Sequence, residues 1–255
     1  MENLLRELGE ALRLAEEDRE RAAFIAMRVR EKASSLSGPE GRKISSLIAV
    51  VEAHISGECA LEKFRETVEG LAEVMEEVDE WAAWVYSRYA DLLMEIRRLE
   101  EALESYSEAE RMLRGLVWER PELSPDLACI LGNRGICLYQ MGRLREALET
   151  FSEAEEIYRR LANERSGFLP DLAWVLANKG ACLADMGRLR EALETFSEAE
   201  EIYRRLAREK PELLPALAWV LMGRGVSLAD MGRLEEALES YSEAERVRRG
   251  LTGKR

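Results

Sequence analysis

The sequence predicts an all-α fold, an α-solenoid of about six antiparallel helical hairpins in a right-handed superhelix. Three observations carry this. The segment MGRLREALETFSEAEEIYRRLA stands at 141–162 and again, unchanged, at 186–207. A third copy begins at Met231 and a degenerate one at Ile96, so Arg97, Gly142, Gly187 and Gly232 fall 45 residues apart. The composition is that of helices, rich in Ala, Leu, Glu and Arg, with only 6 Pro and 17 Gly in 255 residues. A unit of this length has an apolar stripe that it cannot bury alone, so neighbouring units must stack.

Residues 1–80 read as two diverged hairpins, about 1–35 and 39–78, which form an N-terminal cap region. EEDRERAAFIAMRVREKA and GECALEKFRETVEGLAEVMEEV each look like the second helix of a hairpin, with Ala60 and Phe64 at the offset the later units use. SLSGPEG at 35–41 is a break. An end unit must present a more polar outer face, which is a physical reason for divergence.

Residues 81–255 hold four repeats. In the unit from Ala128, Leu131, Gly135 and Leu138 share one face of a first helix, and Gly142 ends it. Leu144, Ala147, Leu148, Phe151, Ala154 and Ile157 share one face of a second helix. Small Gly135 and Ala147 allow close approach, and Phe151 fills the space between hairpins. Glu and Arg take the remaining face, solvated and paired at i,i+4. WERPELSP, NERSGFLP and REKPELLP connect the units. Pro121 and Pro211 stop one helix, and Pro125, Pro170 and Pro215 stand at the start of the next. Leu123, Phe168 and Leu213 are expected to tuck the connector onto the array.

These residues resemble the tetratricopeptide repeat, a 34-residue helix–turn–helix unit. Numbered along that unit, position 8 is Ala90, Gly135, Gly180 and Gly225, and position 20 is Ala102, Ala147, Ala192 and Ala237. Position 24 is Tyr106, Phe151, Phe196 and Tyr241, and position 27 is Ala109, Ala154, Ala199 and Ala244. The departure is at position 32, where Arg114, Arg159 and Arg204 replace the family's frequent Pro. The second helix is therefore expected to run on about two more turns. The 45-residue unit is similar to those of kinesin light chains and of repeat arrays in prokaryotic signalling and defence proteins.

The net charge of −13 opposes binding to nucleic-acid phosphates and to anionic membrane surfaces. The N-terminus lacks a basic-then-apolar leader, and runs such as LPALAWVLMG at 214–223 are too short to span a bilayer. A cytoplasmic protein is expected, with no nucleic-acid or membrane partner. Cys59, Cys129, Cys137 and Cys182 have no metal or redox spacing and read as small buried hydrophobes. His54 is the single histidine and has no partner set for zinc or a triad. GKR at 253–255 has no helix after it and is no phosphate loop. No catalytic residue, metal or cofactor is expected.

The resemblance implies that positions 2, 5, 6, 9, 12 and 13 of the first helices face a concave groove. Trp84, Trp174 and Trp219 then form a ladder at position 2, with Cys129 in the remaining unit. Such indoles suit peptide capture, or they pack on the preceding helices. Arg88, Asn133 and Asn178 stand at position 6, Tyr139 at position 12, and Gln140 and Asp185 at position 13. A side-chain amide both donates and accepts, and so can hold an extended backbone. The Lys and Asn clamp that some family members use for a carboxylate is absent.

The expected function is a non-enzymatic protein-interaction scaffold that takes a peptide or partner helix in this groove. The alternative is a self-associating module. Leu234, Leu238 and Tyr241 match internal core positions, with only TGKR after the last helix, so a homodimer through the C-terminal hairpin is expected under that reading.

Overall fold

A computed structural model describes residues 19–33 and 80–252, with the isolated positions 7, 10, 11, 44, 45, 48, 49, 52 and 65. Most of the hairpin expected over 39–78, with His54, Cys59, Ala60 and Phe64, and the tail 253–255 lie outside the described residues. Among the described residues there are nine α-helices, three short 3-10 turns and no strand. The chain divides into two compact units, 1–119 and 120–255.

In the first unit, α1 (Arg19–Ala33) buries Ala22, Ile25, Ala26 and Val29. The helices α2 (Glu80–Glu95) and α3 (Leu99–Val117) form one antiparallel hairpin. Its core is Ala83, Tyr86, Ala90 and Leu93 against Ala102, Tyr106, Ala109 and Leu113.

The second unit is three hairpins: α4 (Ser124–Gln140) with α5 (Leu144–Glu164), α6 (Leu169–Asp185) with α7 (Leu189–Leu206), and α8 (Leu214–Asp230) with α9 (Leu234–Thr252). Each second helix also packs on the first helix of the following hairpin, α5 on α6 and α7 on α8. This is the α-solenoid stacking that the 45-residue period demands.

The tight turns explain the period. Gly142, Gly187 and Gly232 sit at φ of 73°, 74° and 75°, the left-handed region in which a Cβ is strained. There the Arg143 N–H donates to the Leu138 carbonyl at 2.9 Å and closes off the first helix. Beyond the turn, each second helix buries an alanine and an aromatic on one face, Ala147 with Phe151 and Ala192 with Phe196. A Cβ at Gly135 would stand 2.6 Å from the Phe151 ring, so the missing side chain at position 8 is the space the aromatic fills.

The connectors fold as 3-10 turns over Pro121–Leu123, Ser166–Phe168 and Pro211–Leu213. Leu123 is buried, and the Phe168 ring lies 6.5 Å from that of Tyr158. The expected two-turn extension past position 32 is not seen. The helices α3, α5 and α7 end at Val117, Glu164 and Leu206, at most about one and a half turns beyond the arginine. The 3-10 turn uses the remaining residues to re-aim the chain into the next first helix.

Two further expectations are corrected. Cys129 is exposed, because position 2 lies on the open side of α4, whereas Cys137 and Cys182 are buried. Burial pushes the Cys182 thiol up to about 11, and its Sγ lies 3.2 Å from the Leu144 carbonyl. By length and composition the stretch Pro211–Asp230 is long and apolar enough to cross a membrane, because the connector and α8 form one helical run with few charges. Here it packs between α7 and α9 as the first helix of a hairpin.

Candidate interaction site

The first helices α4, α6 and α8 lie side by side in the second unit, each touching the next. A Cβ at Gly132 of α4 would stand 2.5 Å from Cζ3 of Trp174 in α6. The benzo edge of the Trp174 indole therefore points at the preceding first helix, and the residue is half-buried. Of the two readings of the tryptophan ladder, packing on the preceding helix describes this residue. Trp219 of α8 is 48% exposed, and Trp84 of α2 is half-buried in the first unit.

Position 6 faces the preceding hairpin. A Cβ at Gly223 would stand 2.6 Å from Cζ of Phe196, so the Phe196 ring is wedged between Gly180 of its own hairpin and Gly223 of the following one. At the same position in α6, the Asn178 Nδ2 donates to the Trp174 carbonyl at 2.8 Å. That bond uses one amide N–H on its own helix and fixes the side chain beside the indole it follows. Asn133 is half-buried at the matching place in α4. In the first unit, Arg88 donates to Asp91 at 2.9 Å, and Asp91 also accepts the Tyr106 hydroxyl at 2.5 Å. Burial raises the Asp91 carboxyl, and these two donors oppose the rise. Arg88 is thus tied within its own hairpin.

Tyr139 and Asp185 are brought together across two repeats. The Tyr139 hydroxyl donates to Asp185 Oδ2 at 2.6 Å. Burial first, and then the bond to the Asp185 carboxylate, push the phenol up to about 12. The pair bridges the ends of α4 and α6 beside exposed Gln140. In α8 the matching Asp230 is exposed, and alanine stands where a tyrosine would meet it.

The sequence reading missed a set of charges that fixes one hairpin on the next. Lys179 of α6 donates to Glu155 of α5 at 2.7 Å. Arg159 donates to the same Glu155 at 2.9 Å and clasps Glu198 of α7 with two bonds of 2.5 and 2.6 Å. One repeat on, Arg224 and Arg204 donate to Glu200 at 2.9 and 2.8 Å, and Arg204 clasps Glu243 of α9 at 2.7 and 2.6 Å. The forked guanidinium at position 32 therefore does what a helix-stopping proline cannot, pairing successive second helices two bonds at a time. The signal was present in the identity of Arg159 and Arg204 at one repeat position. Among the described residues no cluster of His, Cys, Asp and Glu could hold a metal ion.

Comparison with known proteins agrees with this geometry. Residues 126–205 match the Tetratricopeptide repeat family. Residues 126–205 are tetratricopeptide repeats. No curated protein matches the chain in sequence. Among solved structures, BtubC (BKLC) from P. vanneervenii is similar at a TM-score of 0.66 and 22% identity, covering 99% of this chain and 93% of that one. A putative kinesin light chain of Podosopora anserina with nearly identical TPR-like repeats is similar at 0.62 and 12%, covering 86% and 100%. A Rap protein complexed with Competence and Sporulation Factor is similar at 0.58 and 14%, covering 97% and 77%. At these identities the likeness is one of fold. Tetratricopeptide arrays are protein-interaction scaffolds, and this chain has that architecture.

Proposed function

We propose that the chain is a non-enzymatic scaffold whose first helices hold an extended peptide or partner helix bearing cationic side chains. One observation carries this reading. Three successive first helices present the same outward pair at positions 2 and 13: Cys129 with Gln140, Trp174 with Asp185, and Trp219 with Asp230. None of the six is buried, although the opposite side of each helix is core. The pairs make two parallel rows, one largely of indoles and one polar with two carboxylates. Indoles supply contact area at low entropic cost, and the carboxylates favour lysine or arginine on the ligand.

Tyr139 and Asn178 act in this site by positioning. The tyrosine holds the Asp185 carboxylate, and the asparagine is tied to the backbone beside the Trp174 indole. Asn133 stands at the repeat position of Asn178 and contributes where the ligand extends along α4. The fold of a Rap protein complexed with Competence and Sporulation Factor is a precedent for this architecture in complex with such a factor.

The test is selection of ligands from a displayed random-peptide library against the intact chain. Enriched peptides should be basic. They should shift the indole N–H resonances of Trp174 and Trp219, and lose affinity by about tenfold or more on Trp219→Ala or Asp185→Lys with Asp230→Lys. Ligands that ignore both variants and move neither indole would sink the reading.

A further inference from the structure

Among the described residues nothing covers the outer side of the α8–α9 hairpin. Met222 and Val226 of α8 are 47% and 46% exposed, and Leu234 and Leu238 of α9 are 62% and 64% exposed. In the preceding hairpin the matching residues are Ala177, Ala181, Leu189 and Leu193, none of which is exposed. The Tyr241 ring lies on Gly225, where a Cβ would stand 2.5 Å from it, and this sets Val226 at the level of Leu238 and Tyr241. Four large apolar side chains on two adjacent helices make a patch rather than a scatter.

The charges beside the patch select its occupant. The N-terminal half of α9 is acidic, with Glu235, Glu236 and Glu239, and its C-terminal half is basic, with Arg246, Arg248 and Arg249. Positions 235, 239, 242, 246 and 249 follow helical spacing and form one row next to the leucines. Read backward, that row is its own complement. An antiparallel copy centred near Ser242 sets Glu235 against Arg249 of the second copy and Glu239 against its Arg246. Leu234 and Leu238, both exposed, flank that row in each copy. Arg246 and Arg249 now bond Glu243 at 3.3 Å and Glu245 at 2.6 Å, with 79% and 77% of their side chains exposed. Pairs so open to water contribute little, and exchanging them costs little.

We propose that this face seats a second copy of the chain, with α9 antiparallel to α9 about a twofold axis near Ser242. The twofold closes the assembly, because the patch of each copy is used up by the other. The surface is separate from the rows of Trp174 and Asp185, so this dimer stands or falls apart from the peptide-binding reading.

Sedimentation equilibrium of the intact chain tests it. The mass should rise from one chain to two with concentration and stop there. Leu238→Glu should weaken the dimer by about 30-fold or more. Glu235→Arg with Glu239→Arg, and separately Arg246→Glu with Arg249→Glu, should each give monomers, and an equimolar mixture of the two should restore a dimer. Circular dichroism melts of each variant separate misfolding from loss of contact. A monomer at every concentration, a dimer indifferent to Leu238→Glu, or a mixture of charge variants that stays monomeric would overturn the proposal. Asp185→Lys should leave the mass unchanged.

Discussion

The hairpins α6–α7 and α8–α9 are nearly the same sequence in two environments. Leu189 and Leu193 are half-buried where α8 stacks on α7, whereas Leu234 and Leu238, at the same repeat positions, are exposed. Phe196 is 1% exposed, held between two glycines of successive hairpins, whereas Tyr241 touches one glycine and is half-exposed. Glu200 is bonded from Arg204 and from Arg224 of the following hairpin, whereas Glu245 is bonded by Arg249 of its own helix. The lesson is that each hairpin draws part of its stabilisation from its successor. An aromatic at position 24 is a core residue only when the next repeat supplies its second wall.

The largest effect expected from that difference is at position 24. Phe196→Ala should cost about 3–5 kcal/mol, since the ring is fully enclosed and the two hairpins cannot both close over the void. Tyr241→Ala removes contacts on one side only and should cost about 1–2 kcal/mol in the monomer. Denaturant melts of both variants, at a concentration below any self-association, make the measurement. Equal losses would mean that the far side of Tyr241 is already covered in solution.

A second contrast lies in the charges that cross between hairpins. Glu200→Ala leaves Arg204 and Arg224 without their shared acceptor and should cost about 1.5–3 kcal/mol. Glu245→Ala, on the open helix, should fall within about 0.5 kcal/mol of wild type. If the two were alike, the Arg224–Glu200–Arg204 chain would be a surface accident rather than a fastening.

The same fastening sets a pH dependence. Bonds from Arg204 hold the Glu243 carboxyl below its ordinary 4.5. A carboxyl depressed in the folded state contributes stability above its unfolded pKa and loses it as pH falls through the folded one. Wild type and Arg204→Gln should therefore differ most in melting temperature at neutral pH. They should converge as the pH drops from 4.5 to below the lowered value. A gap that stays constant into acid would show that Arg204 acts through its packing and not through the pair.

Much of this was written in the sequence. The spacing of Gly142, Gly187 and Gly232 located the turns, and the Ala-to-aromatic offset located the core, because both depend on neighbours within one hairpin. The direction in which Trp174 points depends on Gly132 in the preceding repeat, and repeat spacing alone cannot say which neighbour an outward residue leans on. For the same reason repeat position alone offers Asn178 to a ligand, and only the fold shows one amide N–H bonded to the Trp174 carbonyl four residues back. Tyr139 and Asp185 were named separately, and only stacking of α4 beside α6 makes them a pair. The exposure of Cys129 was within reach, since it stands where the other three units place Trp.

The smallest expected effect extends the comparison to the first written copy. Its turn carries Arg97 at φ 63°, at the position where the later units have glycine. The turn closes the same way, with Arg98 N–H donating to the Leu93 carbonyl at 2.9 Å, so the geometry is kept without the residue that suits it. A non-glycine residue in this region costs about 1–2 kcal/mol, and glycine returns about 0.4–1 kcal/mol of that as extra entropy of the unfolded chain. Arg97→Gly should therefore stabilise the α2–α3 hairpin by no more than about 1 kcal/mol, whereas Gly187→Arg should destabilise by a similar amount. Hydrogen exchange at the amides of α2 and α3 reads the first substitution locally, and the same amides in α6 and α7 read the second. Destabilisation by Arg97→Gly would show that the arginine side chain holds the turn by contacts worth more than the backbone strain. The degenerate copy would then owe its turn to that side chain and not to tolerance of a poor fit.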